Sequence, residues 1–209
     1  MDPSRPTRLP RSFYAGHTVE VARALLGKLL VRQQDGATIC GRVVETEAYH
    51  GPEDLACHAS RGLTPRTAPM FEEPGRAYVY QIYGMWFCLN AVTGPVGHPS
   101  AVLIRAVAPR APDAFGPKDA AGPGKLCRLM NINLQLNRAD LTDGDQLWLA
   151  DDGHRVADEQ ICAGPRIGVE YAGAWAETPW RFWVAGDRSV SRARGPTKAP
   201  ARARSSKIA

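Results

Sequence analysis

The stretch that most restricts how this chain folds is "AYVYQIYGMWFCLNAV", from Ala77 to Val92. Tyr78, Tyr80 and Ile82 alternate with Val79, Gln81 and Tyr83, the period-two pattern of a strand. Gly84 interrupts the pattern and "MWFCLNAV" resumes it, so Tyr83-Gly84 reads as the tip of a β-hairpin. The stretch opens an uncharged run that lasts to Ile104 and is long enough to raise the question of a membrane helix. Gln81, Asn90, Pro95, His98, Pro99 and three glycines within it are a poor mixture for a bilayer, so the run reads as core strands joined by a loop.

Other segments fit around this hairpin. "HTVEVARALLGK" predicts a short helix with Thr18 as its cap, Val21, Leu25 and Leu26 on its apolar side and Gly27 as its stop. "KLLVRQ", a turn at Asp35-Gly36 and "ATICGRVVETEAY" predict two successive strands. His50 to Gly75, rich in Gly, Pro, Thr and Arg, reads as a long loop of the kind that carries function. "AVLIRAVAP" reads as a buried strand, "GPGKLCRLMNI" as a helix after Pro123, and "QLWLAD", "RIGVEY" and "RFWVAG" as later strands. The pattern is α+β: a single compact mixed domain over residues 11–187, around a curved, predominantly antiparallel sheet with a protruding hairpin. A flexible N-terminus (1–10) and a basic, disordered tail (188–209) flank it.

Composition narrows the function classes. With 209 residues, 44% hydrophobic and 22% charged, the chain buries enough surface to fold without a metal or disulfide staple. Five widely spaced cysteines without a C-x-x-C pair read as reduced thiols and support neither a zinc site nor a redox motif. The absence of an apolar leader at the start points to a cytoplasmic protein, and a monomer is the expectation. The net charge of +5 is uneven: seven basic and no acidic residues follow from Arg188 onward, leaving 19 of the 26 basic side chains against 21 acidic ones. Such a tail either adds non-specific affinity for a polyanion or is a solvated end.

The chemistry-bearing candidates centre on "VVETEAYHG". On a strand, Glu45 and Glu47 share a side. They form either a wet polar face or a site in which one carboxylate works as a general base or steadies a sugar-like cation. Tyr49 falls on the same side, His58 lies in the long loop and Tyr78, Tyr80 and Tyr83 cluster on the hairpin. Flat rings around one carboxylate suit a planar ligand such as a nucleobase. Tyr83 at a hairpin tip either packs on a neighbour or protrudes as a wedge into stacked bases. Asn90 and Arg105 interrupt apolar strands, so each closes a core network or faces a site.

"GRVVETEAYHGPEDLACH", "YVYQIYGMWFCLN", "VLIRAVAP", "GPGKLC" and "PRIGVEYAGAWAETPWRFWVAG" resemble the alkyladenine (3-methyladenine) DNA glycosylases, in the expected order from about Arg11 to Gly186. The resemblance implies a base-excision-repair enzyme acting on double-stranded DNA that holds alkylated or deaminated purines: 3-methyladenine, 7-methylguanine and hypoxanthine. It implies Glu47 as the base that activates water, Arg105 as a holder of that water or of the nearby backbone phosphate, the Ile167 main-chain carbonyl as a further contact of the water, and Tyr49, His58 and Tyr80 as the clamp on the flipped purine. It further implies Asn90 as the group that crowds the 2-amino group of guanine, Tyr83 as the intercalating wedge, and no metal or cofactor. No lysine stands beside Glu47, which points to a monofunctional enzyme leaving an abasic site. Thr67 and Trp86 depart from the residues common in the family at those places. Two other readings are a catalytically silent nucleic-acid binder and a small-molecule hydrolase using Glu45 and Glu47. The carboxylate at 47 speaks against the first, and the tyrosine at the hairpin tip against the second.

Overall fold

The computed structural model describes residues 6–110 and 114–191. In chain order its elements are β1 (Thr7–Arg8), α1 (Arg11–Tyr14), α2 (Thr18–Ala24), β2 (Leu29–Gln34), β3 (Ala37–His50), β4 (Ala77–Ile82), β5 (Trp86–Val92), β6 (Ser100–Pro109), α3 (Pro123–Leu129), β7 (Leu147–Asp151), β8 (Ile161–Gly164) and β9 (Arg181–Val184), with short 3₁₀ turns between them. All strands join one curved sheet in the order β1-β7-β2-β3-β6-β5-β4, with β9 pairing both β3 and β8. Every strand pairing is antiparallel. The α+β class and the antiparallel sheet are as the sequence predicts.

The 14-residue strand β3 is the hub. One of its edges pairs with β6, while the other pairs with β2 over its first half and with β9 over Glu45–Glu47. The β3–β6 ladder carries two opposite irregularities. From Val43↔Val107 to Glu45↔Ala106, β3 gains an extra residue, Val44; from Glu45↔Ala106 to Thr46↔Ile104, β6 gains one, Arg105. The two offsets cancel, so register is kept on both sides, and Arg105 is the residue set out of the ladder. Bulges of this kind re-aim a side chain beside a site.

Helix α2 lies over this hub. Thr46 donates its hydroxyl to the Ala22 carbonyl at 2.8 Å, and Val21, Leu25 and Leu26 are buried with Leu30, Val43, Ile104 and Leu149 in the main core. Each such side chain contributes about 1.5–3 kcal/mol by leaving water. Helix α3 braces the hairpin: a Cβ on Gly124 would come within 2.9 Å of the Trp86 ring, so only glycine permits the close approach, and Arg128 lies 5.3 Å over the same ring.

Several expectations need correction. Thr18 does not cap α2; the cap position is His17, and the Thr18 hydroxyl instead pairs with His50 Nδ1 (3.0 Å) and accepts from Thr93 (3.0 Å). "RIGVEY" is not a strand: residues 165–169 turn through Gly168 at φ +76° and lead into a 3₁₀ segment, Glu170–Glu177. The preceding "ICAG" supplies the strand instead. The long loop from His50 holds two 3₁₀ turns, His58–Arg61 and Ala68–Phe71. Thr7 and Arg8 pair with Asp151 and Ala150 rather than trailing free. At the other end, Ser189 and Ser191 are buried, so the folded body runs past the expected boundary at 187; residues 1–5 and the tail from 192 lie outside the described residues.

Candidate active site

Glu45, Glu47 and Arg105 form one buried charged network. Both carboxylates have 0% and Arg105 6% of their surface exposed, so the polar pair of β3 is not a wet face. Arg105 Nε donates to Glu45 (3.0 Å) and Nη1 to Glu47 (3.1 Å), so one guanidinium from the bulge on β6 bridges two carboxylates on β3. Burial alone would lower the proton affinity of Arg105, but Glu47 and then Glu45 hold it above its ordinary value. Buried charges are tolerated when every one is paired and hydrogen-bonded.

Glu47 receives two further donors. The Tyr49 hydroxyl donates to Oε2 at 2.9 Å, and the Ile167 main-chain N–H to Oε1 at 2.7 Å. Burial, followed by the Glu47 charge, holds the Tyr49 phenol well above its ordinary range, so it stays a donor. At Ile167 it is the main-chain N–H that meets the carboxylate. The strand expected there is absent for the same reason: the turn through Gly168 spends that N–H on Glu47.

A cavity of about 270 Å³ opens in front of this network, lined by Tyr49, His58, Tyr80, Tyr83, Asn90, Arg105 and Ile167 together with Met70, Tyr78 and Cys88 among others. The candidate residues named from the sequence line it, except Glu45 and Glu47. Glu47 lies directly behind Tyr49, Arg105 and Ile167. Neither Thr67 nor Trp86 faces the cavity.

The walls are rings and amides. His58 Nδ1 meets the Tyr78 hydroxyl at 3.0 Å and packs edge-on against Tyr80, centroids 4.6 Å apart. Burial, helped by the charges of Arg66 and Arg61, pushes His58 down to about 4, so the ring is neutral near pH 7. Asn90 on β5 donates to the Tyr78 carbonyl at 2.9 Å. At the rim Tyr83 is 88% exposed, with φ +51° followed by Gly84 at +71°. A left-handed backbone under an aromatic side chain costs about 1–3 kcal/mol and marks a functional position more often than an accident.

The family model for methylpurine-DNA glycosylase matches residues 12–188. The chain belongs to that family. Relatives named as candidate 3-methyladenine DNA glycosylases include one from Anaeromyxobacter dehalogenans strain 2CP-1, 50% identical over 185 residues, covering 88% of this chain and 86% of the relative. Another, from Methanocella arvoryzae, is 50% identical over 194 residues, with 88% and 96% covered, and a third, from Legionella pneumophila strain Lens, is 46% identical over 186 residues, with 88% and 98% covered. Membership makes the chain a DNA-repair glycosylase whose substrate is DNA. Among the described residues no helix is long and apolar enough to cross a membrane, and no His, Cys, Asp or Glu cluster is arranged to hold a metal.

Sequence reasoning missed two parts of this glycosylase site. One is the fully buried pair of Arg166 and Asp54, with Arg166 Nη2 donating to Asp54 Oδ1 at 2.8 Å. Arg166 also donates to the Ala48 and Trp175 carbonyls and lies 4.9 Å over the Tyr49 ring, so it ties the Ile167 turn to β3 and to the loop carrying His58. Its only sequence signal was its place just before "IGV". The other is Ser191, which donates to Glu45 and had no signal among the basic tail residues.

Proposed function

We propose that this glycosylase flips alkylated or deaminated purines (3-methyladenine, 7-methylguanine and hypoxanthine) out of duplex DNA and hydrolyses the N-glycosidic bond with water activated by Glu47. The observation that carries the reading is a carboxylate held by three donors directly behind a ring-lined cavity. Three bonds fill three of the roughly four lone-pair positions of a carboxylate, which leaves one to take a proton from water. Water adds to the anomeric carbon, the bond to the purine nitrogen breaks, and the proton passes to Glu47. An alkylated purine already carries positive charge and leaves neutral, whereas neutral hypoxanthine leaves with the bond's electron pair and takes a proton from solvent; the product in both cases is an abasic site. With water as nucleophile, no lysine imine is involved, and the enzyme is monofunctional.

The other roles are those the family resemblance implies, and the positions are in keeping with them. Arg105 and the Ile167 main chain bracket the water; Tyr49, His58 and Tyr80 clamp the purine. Asn90 stands in the wall where the 2-amino group of guanine would press. Tyr83, exposed and turned outward, fills the gap left by the extruded base. Glu47 sits behind the wall of the free protein, in keeping with catalytic contacts that form fully only in the complex. Incubating the protein with a duplex carrying a single hypoxanthine or 3-methyladenine, then cleaving with alkali, gives a strand break at the lesion if this reading is right. Intact strands with both substrates overturn it.

A further inference from the structure

Glu45 is also fully buried, yet the reaction proposed above gives it no task. Its oxygens accept from Arg105 Nε (3.0 Å), the Ser191 N–H (2.8 Å) and the Ser191 hydroxyl (2.9 Å), and the Arg181 guanidinium lies beside it as an ion pair at 3.4 Å without a hydrogen bond. Two of those three donors come from one residue, 146 positions further along the chain and outside the residues 12–188 that match the family model. Ser191 is brought there by a turn after β9: the Ser189 N–H donates to Asp187 (2.7 Å), and Lys118 Nζ reaches the Val190 carbonyl (3.4 Å).

We propose that Ser191 is a positioning residue for the chemical step, acting through Glu45 to aim Arg105 at Glu47; this rests on the roles given above to Glu47 and Arg105. Guanidinium and carboxylate pair most strongly as a two-pronged fork. Left to itself, Glu45 would draw both prongs of Arg105. Ser191 occupies Oε2 with its N–H and shares Oε1 with its hydroxyl, so Arg105 can give Glu45 only its Nε. Nη1 is thereby left for Glu47. The short segment Arg188–Ser191 is then part of the machinery of the site, not the start of a tail.

The test compares the full chain, a chain ending at Ser191 and a chain ending at Asp187, using single-turnover excision of hypoxanthine from a duplex with enzyme in excess. The chain ending at Ser191 should excise at the full rate, within about twofold, and the chain ending at Asp187 about tenfold or more slower, short of the ~100-fold that an ångström of misplacement costs. Dissociation constants for the lesion duplex should agree between the two shortened chains. If the shorter chain fails to fold, Ser191→Ala in the full chain takes its place: its rate should fall severalfold, with Ser191→Thr restoring it. In a Glu45→Gln background the Ser191→Ala loss should disappear, because the effect runs through that carboxylate. Equal rates for the two shortened chains, or a Ser191→Ala loss that persists undiminished beside Glu45→Gln, would overturn the proposal while leaving the glycosylase reading intact. A full chain inactive on both lesions would sink that reading first.

Discussion

Two regions of the molecule break the rule of polar outside and apolar inside, in opposite directions. The Glu45–Arg105–Glu47 network puts three charges in the interior; the hairpin tip puts Tyr83 and Met85, 88% and 68% exposed, in solvent. The network is over-determined: each carboxylate has three donors, drawn from β3, β6, the Ile167 turn and the C-terminal segment. The tip is tethered by its own hairpin, through Gln81 Nε2 to the Gly84 carbonyl (2.7 Å) and the Met85 N–H to the Ile82 carbonyl (3.3 Å). On the proposed reading, the first arrangement fixes atoms for chemistry, and the second presents a ring to a partner. Function that depends on precise placement should therefore be lost by changes to the network, and function that depends on contact by changes to the tip.

The sharpest attempt to break this contrast is Glu47→Gln. It keeps the shape but removes the base, so excision should fall by about 10²- to 10⁴-fold, the usual worth of a positioned proton acceptor. Binding of lesion duplex should survive, as measured by fluorescence anisotropy. A larger loss from Glu45→Gln than from Glu47→Gln would reverse the assignment of the pair.

The next largest effect concerns the scaffold under the network. Arg166→Ala leaves Asp54 buried and unpaired, a change that costs about 3–5 kcal/mol, readable as a lowered urea midpoint. A variant of unchanged stability would show that the pair does not hold the Ile167 turn. Nothing in the sequence announced this pair, whose members stand 112 residues apart. Period-two patterning revealed β3, the hairpin and the shared side of Glu45 and Glu47, because alternation is a local property. It could not reveal that the shared side was dry, since burial depends on what β6, β9 and the chain end place over it. The same limit explains Thr18, a good cap by type whose hydroxyl His50 and Thr93 claim. It also explains "RIGVEY", whose β-rich composition is overruled by a left-handed Gly168. The resemblance supplied the roles of the ring residues; the bulge at Arg105 and the clasp at Ser191 came from the coordinates alone.

At the tip, Tyr83→Ala should weaken lesion binding by about 1–3 kcal/mol, the range for an inserted or stacked ring, with stability unchanged to within about 0.5 kcal/mol. Tyr83→Asn sharpens this further. Asparagine adopts positive φ more readily than tyrosine, so it should lose the same binding while matching or exceeding the native melting temperature. Equal lesion affinity in both variants and the native protein would remove the wedge from the reading.

The last effect tests whether the cavity wall belongs with the network or with the tip. His58 is pushed down to about 4 by burial and by the neighbouring Arg66 and Arg61 charges, against about 6.5 in an unfolded chain. Between those values the unfolded state binds more protons, so this group makes stability rise with pH. Its contribution is intact above pH 6.5 and is lost progressively as pH falls toward 4, by up to about 3 kcal/mol in all. A neutral ring keeps its contact with the Tyr78 hydroxyl. Following the imidazole signals by NMR should show no His58 titration above about pH 5. A midpoint near the ordinary histidine value would mean that solvent reaches the ring freely, and that the clamp is as loosely held as the tip.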